Sequence, residues 1–350
     1  MSRDDAWGEP HHELPELPQL PELAQLQAGL RVVRIPMRVR FRGLAHREVA
    51  LLEGPSGWGE FGPFPEYPPA EAARWLAAAI EAGYAAWPPP VRERVPVNAT
   101  VPAVPAAQVP AVLARFAGCA TAKVKVAEPG QSLAQDLDRV AAVREVLGPS
   151  GRIRVDANGG WDVAQAATAL GALAAYRIEY AEQPCPDVPD LRELRIRLAR
   201  QGIDVPIAAD ESVRRATDPL RVAREQAADL IVVKVAPLGG VRRALAIVAE
   251  CGLPAVVSSA LDTSVGIAAG VALAAALPQL PYACGLGTVQ LLGGDVLADS
   301  LVAEGGWLAP RRVVPRPGLL ARYAAPAERL AWWQDRLAAC HAQLLRAARA

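Results

Sequence analysis

From residue 97 onwards, short apolar runs alternate with longer stretches in which apolar and polar positions mix at helical spacing. The runs are VNATVPAV (97–104), CATAKVKV (119–126), RIRVDA (152–157), RIEYAE (177–182), VPIAAD (205–210), DLIVVKV (229–235), PAVVSS (254–259) and YACGLG (282–287). Between them the pattern predicts helices over 106–117, 131–146, 162–175, 189–201, 216–226, 239–251 and 264–277. Short buried runs alternating with helices read as βα units and a parallel sheet. Eight units in series predict an α/β fold closed into a (β/α)8-type barrel. Its last unit is modified, because LLGGDVLADSLVAEGGW has little room for a full helix.

The stretch before the barrel has a different rhythm. Residues 31–37 and 47–53 read as strands, GPSGWGEFGPFPEYPP reads as loop, and 70–86 reads as a helix ended by Pro88-Pro89-Pro90. These make an N-terminal α+β capping domain. Residues 306–324 return across it, and 325–347 form a terminal helix that Trp332 and Trp333 pack down. The expected division is 1–96 for leader and capping domain and 97–305 for barrel. Residues 306–350 make the return segment and a helix on the capping domain or the barrel. A doubly wound open sheet is the competing fold, but no GxGxxG or GxxxxGK[ST] motif follows a strand.

Composition narrows the function classes. Among 350 residues, 37 Lys plus Arg balance 37 Asp plus Glu, which argues against a nucleic-acid partner. The Ala-rich run near 267–277 is too short for a membrane span and Pro278 interrupts it, so no membrane partner is expected. The five cysteines are scattered and odd in number, without a CxxC pair, and fit a reducing cytoplasm. The leader MSRDDAWGEPHHELPELPQL lacks the apolar centre of a signal peptide, and His11-His12 reads as polar leader. Oligomeric state is left open, and a monomer is compatible with the sequence.

The chemistry lies at the strand ends. Asp156, Glu182 and Asp210 each close a strand run, with Lys123 and Lys125 one unit earlier and Lys234 one unit later. Lys125, Asp156, Glu182, Asp210 and Lys234 are spaced roughly 25 to 30 residues apart, one strand plus one crossover helix. A barrel gathers such ends at one mouth. One acid there can simply cap a helix, whereas three on consecutive strands predict oxygen ligands for a hard cation. Mg²⁺ is the first choice and Mn²⁺ the second. Asn158 either supports this cluster or orients a loop, and Glu211 forms a salt bridge or polar support.

Period-two alternation puts Lys123 and Lys125 on one strand face, with Ala122, Val124 and Val126 towards the helices. Buried ammonium groups need anions, which the acids and a small-molecule carboxylate substrate supply. Burial beside a divalent cation is expected to depress a lysine pKa and free one as a general base. Lys125 and Lys234, from opposite sides of the mouth, address opposite faces of an enediolate. The four histidines, His11, His12, His46 and His341, lie off the barrel strands, so proton transfer falls to lysine.

TAKVKV, RVDANGGW, EYAEQPC, AADES and VVKVAPLGG together resemble the enolase superfamily, in its muconate lactonizing enzyme-like subgroup. VVSSALDTSVG and the compact N-terminal module resemble, within it, the o-succinylbenzoate synthase family of actinobacterial type. The resemblance implies Mg²⁺ ligands at Asp156, Glu182 and Asp210. It also implies a general base at Lys125 supported by Lys123, and a cationic partner at Lys234. The activity it implies is dehydration of a cyclohexadiene carboxylate to an aromatic acid in menaquinone biosynthesis. Racemisation of N-succinylamino acids and epimerisation of dipeptides are the alternatives, the latter through Asp262 as a partial amine-binding motif. Ser258, Ser259, Asp262, Thr263 and Ser264 are candidates for substrate contact or helix capping, with Ser259 favoured for contact. Loops 40–44 and 59–64 are the candidate covers of the mouth.

Overall fold

The computed structural model describes residues 20–41, 43–215 and 218–349, with side chains at 40 and 41 excepted. The leader with His11-His12, and the Arg40, Phe41 and Arg42 side chains of the first candidate cover loop, lie outside the described residues.

The capping module comprises α1 (Leu23–Ala28), β1 (Leu30–Phe41), β2 (Leu44–Gly54), β3 (Gly57–Phe61) and α2 (Pro69–Tyr84). The three strands form one antiparallel sheet in the order β1-β2-β3. Strand β3 falls where the sequence reads as loop. Its glycines serve helix packing: a Cβ on Gly59 would lie 2.0 Å from the Ala79 carbonyl oxygen of α2. Pro55 and Ser56 turn the chain between Gly54 and Gly57, which pair across the hairpin.

Next come β4 (Val95–Pro96), β5 (Ala99–Val101), α3 (Val109–Leu113), β6 (Thr121–Lys125), α4 (Leu133–Leu147), β7 (Arg152–Asp156), α5 (Val163–Leu173) and β8 (Ile178–Glu182). The barrel continues through α6 (Val188–Gln201), β9 (Ile207–Ala209), α7 (Glu211–Arg214), α8 (Arg221–Arg224), β10 (Leu230–Val233), α9 (Val235–Leu238), α10 (Val241–Cys251), β11 (Ala255–Val257) and α11 (Ser264–Ala276). The chain ends with β12 (Trp307–Leu308), α12 (Pro317–Arg322) and α13 (Ala327–Ala347). Local signals set the helix starts. Ser132 and Asp162 accept from the amides of Gln135 and Gln165, whose side chains reach back to complete capping boxes. Each such cap stabilises its helix by about 1 kcal/mol.

Strands β5 to β11 form one parallel sheet in sequential order. The eighth run forms no regular strand. It closes the ring through two parallel bridges, Ser258 to Gly285 and Val97 to Cys284. The Gly285 amide donates to Val257 and the Asn98 amide to Cys284. Two other expectations are revised. The 106–117 helix is broken into α3 between two 3₁₀ turns, and the 216–226 helix is reduced to α8, with Ala216 and Thr217 outside the described residues.

Side chains alternate as the barrel requires. Val124, Val155, Ala181, Ile207, Ile231, Val233 and Val257 join the large core beneath the helices. Tyr180, Ala208, Leu230, Val232 and Val256 form a separate cluster inside the ring. There a bulge in β8 sets Glu179 and Tyr180 against the fully buried Arg154. Arg154 donates to the Tyr180 hydroxyl at 2.9 Å, to the Ala283 carbonyl at 2.7 Å and to Glu179 at 3.0 Å. The C-terminal segment returns to the capping sheet: Ala325 donates to Val32, and Arg34 to Tyr323. On α13 the buried Trp333 meets Phe61 edge-on at 5.5 Å, and its indole N–H donates to Glu48.

Candidate active site

Register brings the predicted residues together. Lys125 of β6 lies beside Asp156 of β7, and Asp156 beside Glu182 of β8. Asp210 follows β9 as the residue before α7. Lys234 follows β10 as the residue before α9, so its strand ends two residues earlier than the run 229–235 suggests. In an eight-membered ring β6 and β10 are four positions apart, so the lysines of β6 and Lys234 come from opposite sides. Asp156, Glu182 and Asp210 are at most 1% exposed, and Lys123, Lys125 and Lys234 at most 9%.

Each ammonium rests on the acids. Lys123 donates to both Glu182 oxygens at 2.9 Å and lies 3.1 Å from Asp156 Oδ2. Lys125 donates to Asp156 Oδ2 at 2.6 Å and to Asn158 Oδ1 at 2.5 Å. Lys234 donates to Asp210 Oδ2 at 2.6 Å. Asn158, in the left-handed region at φ +48°, bridges further to Glu211 at 3.2 Å.

Electrostatics follow from these contacts. Burial opposes the Asp156 charge, but Lys125 and Lys123 outweigh it and hold the carboxyl far below its ordinary range. Asp210 is likewise held near 2 against burial by Arg214 and Lys234. Glu182 goes the other way: burial and then Asp156 push it up to about 7. Lys234 is lowered by burial, in the expected direction. Lys123 is not: burial is overcome by Glu182 and Asp156, and its pKa is raised. Its position between two carboxylates holds it cationic and fits it to a supporting role.

Two residues at this centre escaped the sequence reading. Arg214, one turn beyond Asp210, donates to Asp210 Oδ1 at 2.9 Å, to Glu211 at 2.5 Å and to the Tyr67 hydroxyl at 3.0 Å. Gln183 is fully buried at φ +38°. Its oxygen accepts from the Asp210 and Ser212 amides at 2.9 and 3.2 Å, and its nitrogen donates to the Ser212 hydroxyl at 2.7 Å and the Cys185 carbonyl at 2.9 Å. It thereby ties the loop after β8 to the loop after β9. Spacing from Asp210 and adjacency to Glu182 were the available signals.

A cavity opens over the lysines. The capping module contributes Phe64 and Trp75 to its wall, and the barrel contributes Thr100, Ser259, Leu261 and Thr288. Of the two candidate cover loops, 59–64 therefore reaches the cavity. The Ser259 hydroxyl donates to the Gly285 carbonyl at 2.9 Å or shares a proton with Thr288 at 2.7 Å, and so also stitches two loops. Thr263 and Ser264 serve the start of α11: Thr263 caps Val265 and donates to Glu60, and Ser264 bonds Asp295. Asp262 accepts from the Ala260 amide and sits in a separate recess with Glu60.

Family models match both parts of the chain: enolase C-terminal domain-like over residues 106–323 and enolase N-terminal domain-like over 32–83. The fold is thus that of the enolase superfamily. The o-succinylbenzoate synthase of Mycobacterium marinum is 59% identical over 318 residues, covering 91% of this chain and 94% of that protein. The chain belongs to the o-succinylbenzoate synthase family within that superfamily. Solved structures share the fold at lower identity. An N-succinyl Arg/Lys racemase from Bacillus cereus has a TM-score of 0.69 at 19% identity, over 85% of this chain and 97% of its own. A muconate lactonizing enzyme from Pseudomonas fluorescens has a TM-score of 0.68 at 21% identity, over 85% and 98%.

Membership implies a divalent cation. Three buried carboxylates without His or Cys suit a hard ion, and Glu182 is raised by burial and then by the neighbouring Asp156. Among the described residues no group of three or more His, Cys, Asp or Glu side chains is disposed to hold a metal, and lysine ammonium groups rest on the oxygens of these three acids.

Proposed function

We propose that this enzyme, a carbon–oxygen lyase, removes water from 2-succinyl-6-hydroxy-2,4-cyclohexadiene-1-carboxylate to give 2-succinylbenzoate, a step of menaquinone biosynthesis. The relationship to the o-succinylbenzoate synthases over nine-tenths of the chain supports the reaction. The observation that carries the mechanism is the placement of Lys125 and Lys234 on opposite sides of three buried acids, under one cavity.

Asp156, Glu182 and Asp210 would hold the cation, Mg²⁺ by preference. Bound there, it supplies positive charge that engages the acids now paired with the lysines and favours negative charge on a substrate carboxylate. Lys125 then removes the proton from the carbon bearing the carboxylate, and the electron pair moves into the carboxylate as an enediolate. When the electrons return, the C–O bond to the ring hydroxyl breaks. The Lys125 ammonium gives its proton to the departing oxygen on the same face, so water leaves and the ring becomes aromatic. Lys234 remains cationic and stabilises the enediolate from the opposite side. Lys123 stays charged and fixes Glu182 and Asp156. Asn158 orients Lys125, and Ser259 with Thr288 lines the substrate side of the cavity.

Among the described residues no helix is long and apolar enough to cross a membrane. All five cysteines are free, in keeping with action in a reducing cytoplasm.

A second reading, racemisation of N-succinylamino acids, is favoured by the same opposed lysines. Asp262, the partial amine-binding motif of dipeptide epimerisation, sits in a separate recess with Glu60 and carries less of the argument. The test is to supply the cyclohexadiene to Mg²⁺-loaded protein and follow the aromatic product. Product formation that requires the divalent ion is expected, and absence of product contradicts the proposal.

A further inference from the structure

The cavity has one wall from each part of the molecule, and a single buried side chain holds both. Arg47 of β2 is 2% exposed and contributes nothing to the cavity surface itself. Its Nε donates to the Leu261 carbonyl at 3.0 Å, and its Nη2 donates to the Gly62 carbonyl at 2.5 Å. The guanidinium carbon lies 4.7 Å from the centre of the Phe64 ring. Leu261, from the loop after β11, and Phe64, from the loop after β3, both line the cavity. Leu261 sits at φ +63°, a backbone state that a branched side chain does not favour and that its surroundings must hold. Gly62 lets the guanidinium approach, since a Cβ there would lie 2.7 Å from Arg47 Nη2.

We propose that Arg47 is a positioning residue for substrate selection. Its planar fork and stacked face set Phe64 of the capping module against Leu261 of the barrel, and so fix the width of the cavity. The ligand selected is the carboxylate-bearing ring of the proposed dehydration, so the inference rests on that reading. Arg47 reaches the cavity through Phe64 and Leu261, both of which line it. Its effect therefore falls on binding of the substrate's remote parts, which are held alike in ground and transition state.

A double-mutant cycle on the full chain tests this. Arg47→Lys keeps the positive charge that faces Glu60 and Asp262 but loses the fork and the stacking plane. It is expected to raise KM for the cyclohexadiene about tenfold with kcat changed less than about threefold. In a Phe64→Ala background the same substitution is expected to move KM less than about threefold, because its effect runs through the ring. An unchanged KM in Arg47→Lys, a loss confined to kcat, or two effects that simply multiply overturns the proposal. Should Arg47→Lys not fold, Phe64→Ala and Leu261→Ala are combined instead, and independent effects on KM overturn it. Unsubstituted protein is measured first. If it turns over no cyclohexadiene, the functional reading fails, and the cycle is read on KM for an N-succinylamino acid. If it does, an unaltered Arg47→Lys removes this inference alone.

Discussion

The barrel mouth and the seam between capping module and barrel both bury charge, and they do so in opposite ways. At the mouth, Asp156, Glu182, Asp210 and Glu211 meet Lys123, Lys125, Lys234 and Arg214. At the seam, carboxylates meet helix N-termini. Glu60 of β3 accepts from the Thr263 and Gly266 amides at the start of α11. Glu81 of α2 accepts from the Val241 and Arg242 amides at the start of α10. Backbone amides are fixed in place and do not change charge near neutral pH. Ammonium groups are compact and titratable, and can give way to a cation. The seam is built to hold the two parts in register; the mouth is built to change state.

The comparison breaks most visibly at Lys125. Lys125→Ala is expected to lower kcat for dehydration by about 10³-fold or more, with the fold intact. Retained turnover, measured by formation of the aromatic product, rejects its role as base. Next in size is Gln183→Ala. Loss of the tie between the loops after β8 and β9 is expected to weaken divalent-cation binding roughly 10- to 100-fold. Titration calorimetry with Mg²⁺ reads this without reference to activity, and unchanged affinity contradicts it.

At the seam the readout changes from rate to stability. Glu81→Ala strands two amides at the start of α10 and removes the partner of Arg242, which donates to it at 3.1 Å. A loss of about 2 to 3 kcal/mol in urea unfolding is expected, with kcat within about threefold. The smallest effect is one of pH. Burial, then Asp262, raise Glu60 from 4.5 to about 8 against the pull of Arg47 and Thr263. Between those values the folded chain keeps a proton that the unfolded chain releases, so this group's contribution to stability falls as pH rises through the window. Relative to the unsubstituted protein, Glu60→Gln is therefore expected to gain stability progressively from pH 4.5 to 8. A constant difference across that range contradicts the assignment.

The mouth was legible in the sequence and the seam was not. An acid closing a run such as RIRVD or RIEYAE interrupts the apolar pattern where a barrel strand ends, so position alone marks it. The lysines stand out for the same reason, as charges inside apolar strands. Arg47 sits at the edge of an ordinary strand pattern and Glu60 in a stretch that reads as loop, and their meaning comes from contacts 203 to 214 residues away. The run 282–287 was read as a strand because its composition is right, yet it closes the ring through two bridges only. Strand β3 was hidden because glycines needed for contact with α2 imitate a loop. The charge of Lys123 is set by two carboxylates rather than by burial alone, which only the register of the strands reveals.

The most direct test of the account compares two reactions of one preparation. Mg²⁺-loaded protein is given the cyclohexadiene carboxylate and, separately, an N-succinylamino acid, and kcat/KM is measured for each. Dehydration is predicted to dominate, with both activities lost in Lys125→Ala. Dominant racemisation, or dehydration that survives without Lys125, would contradict it.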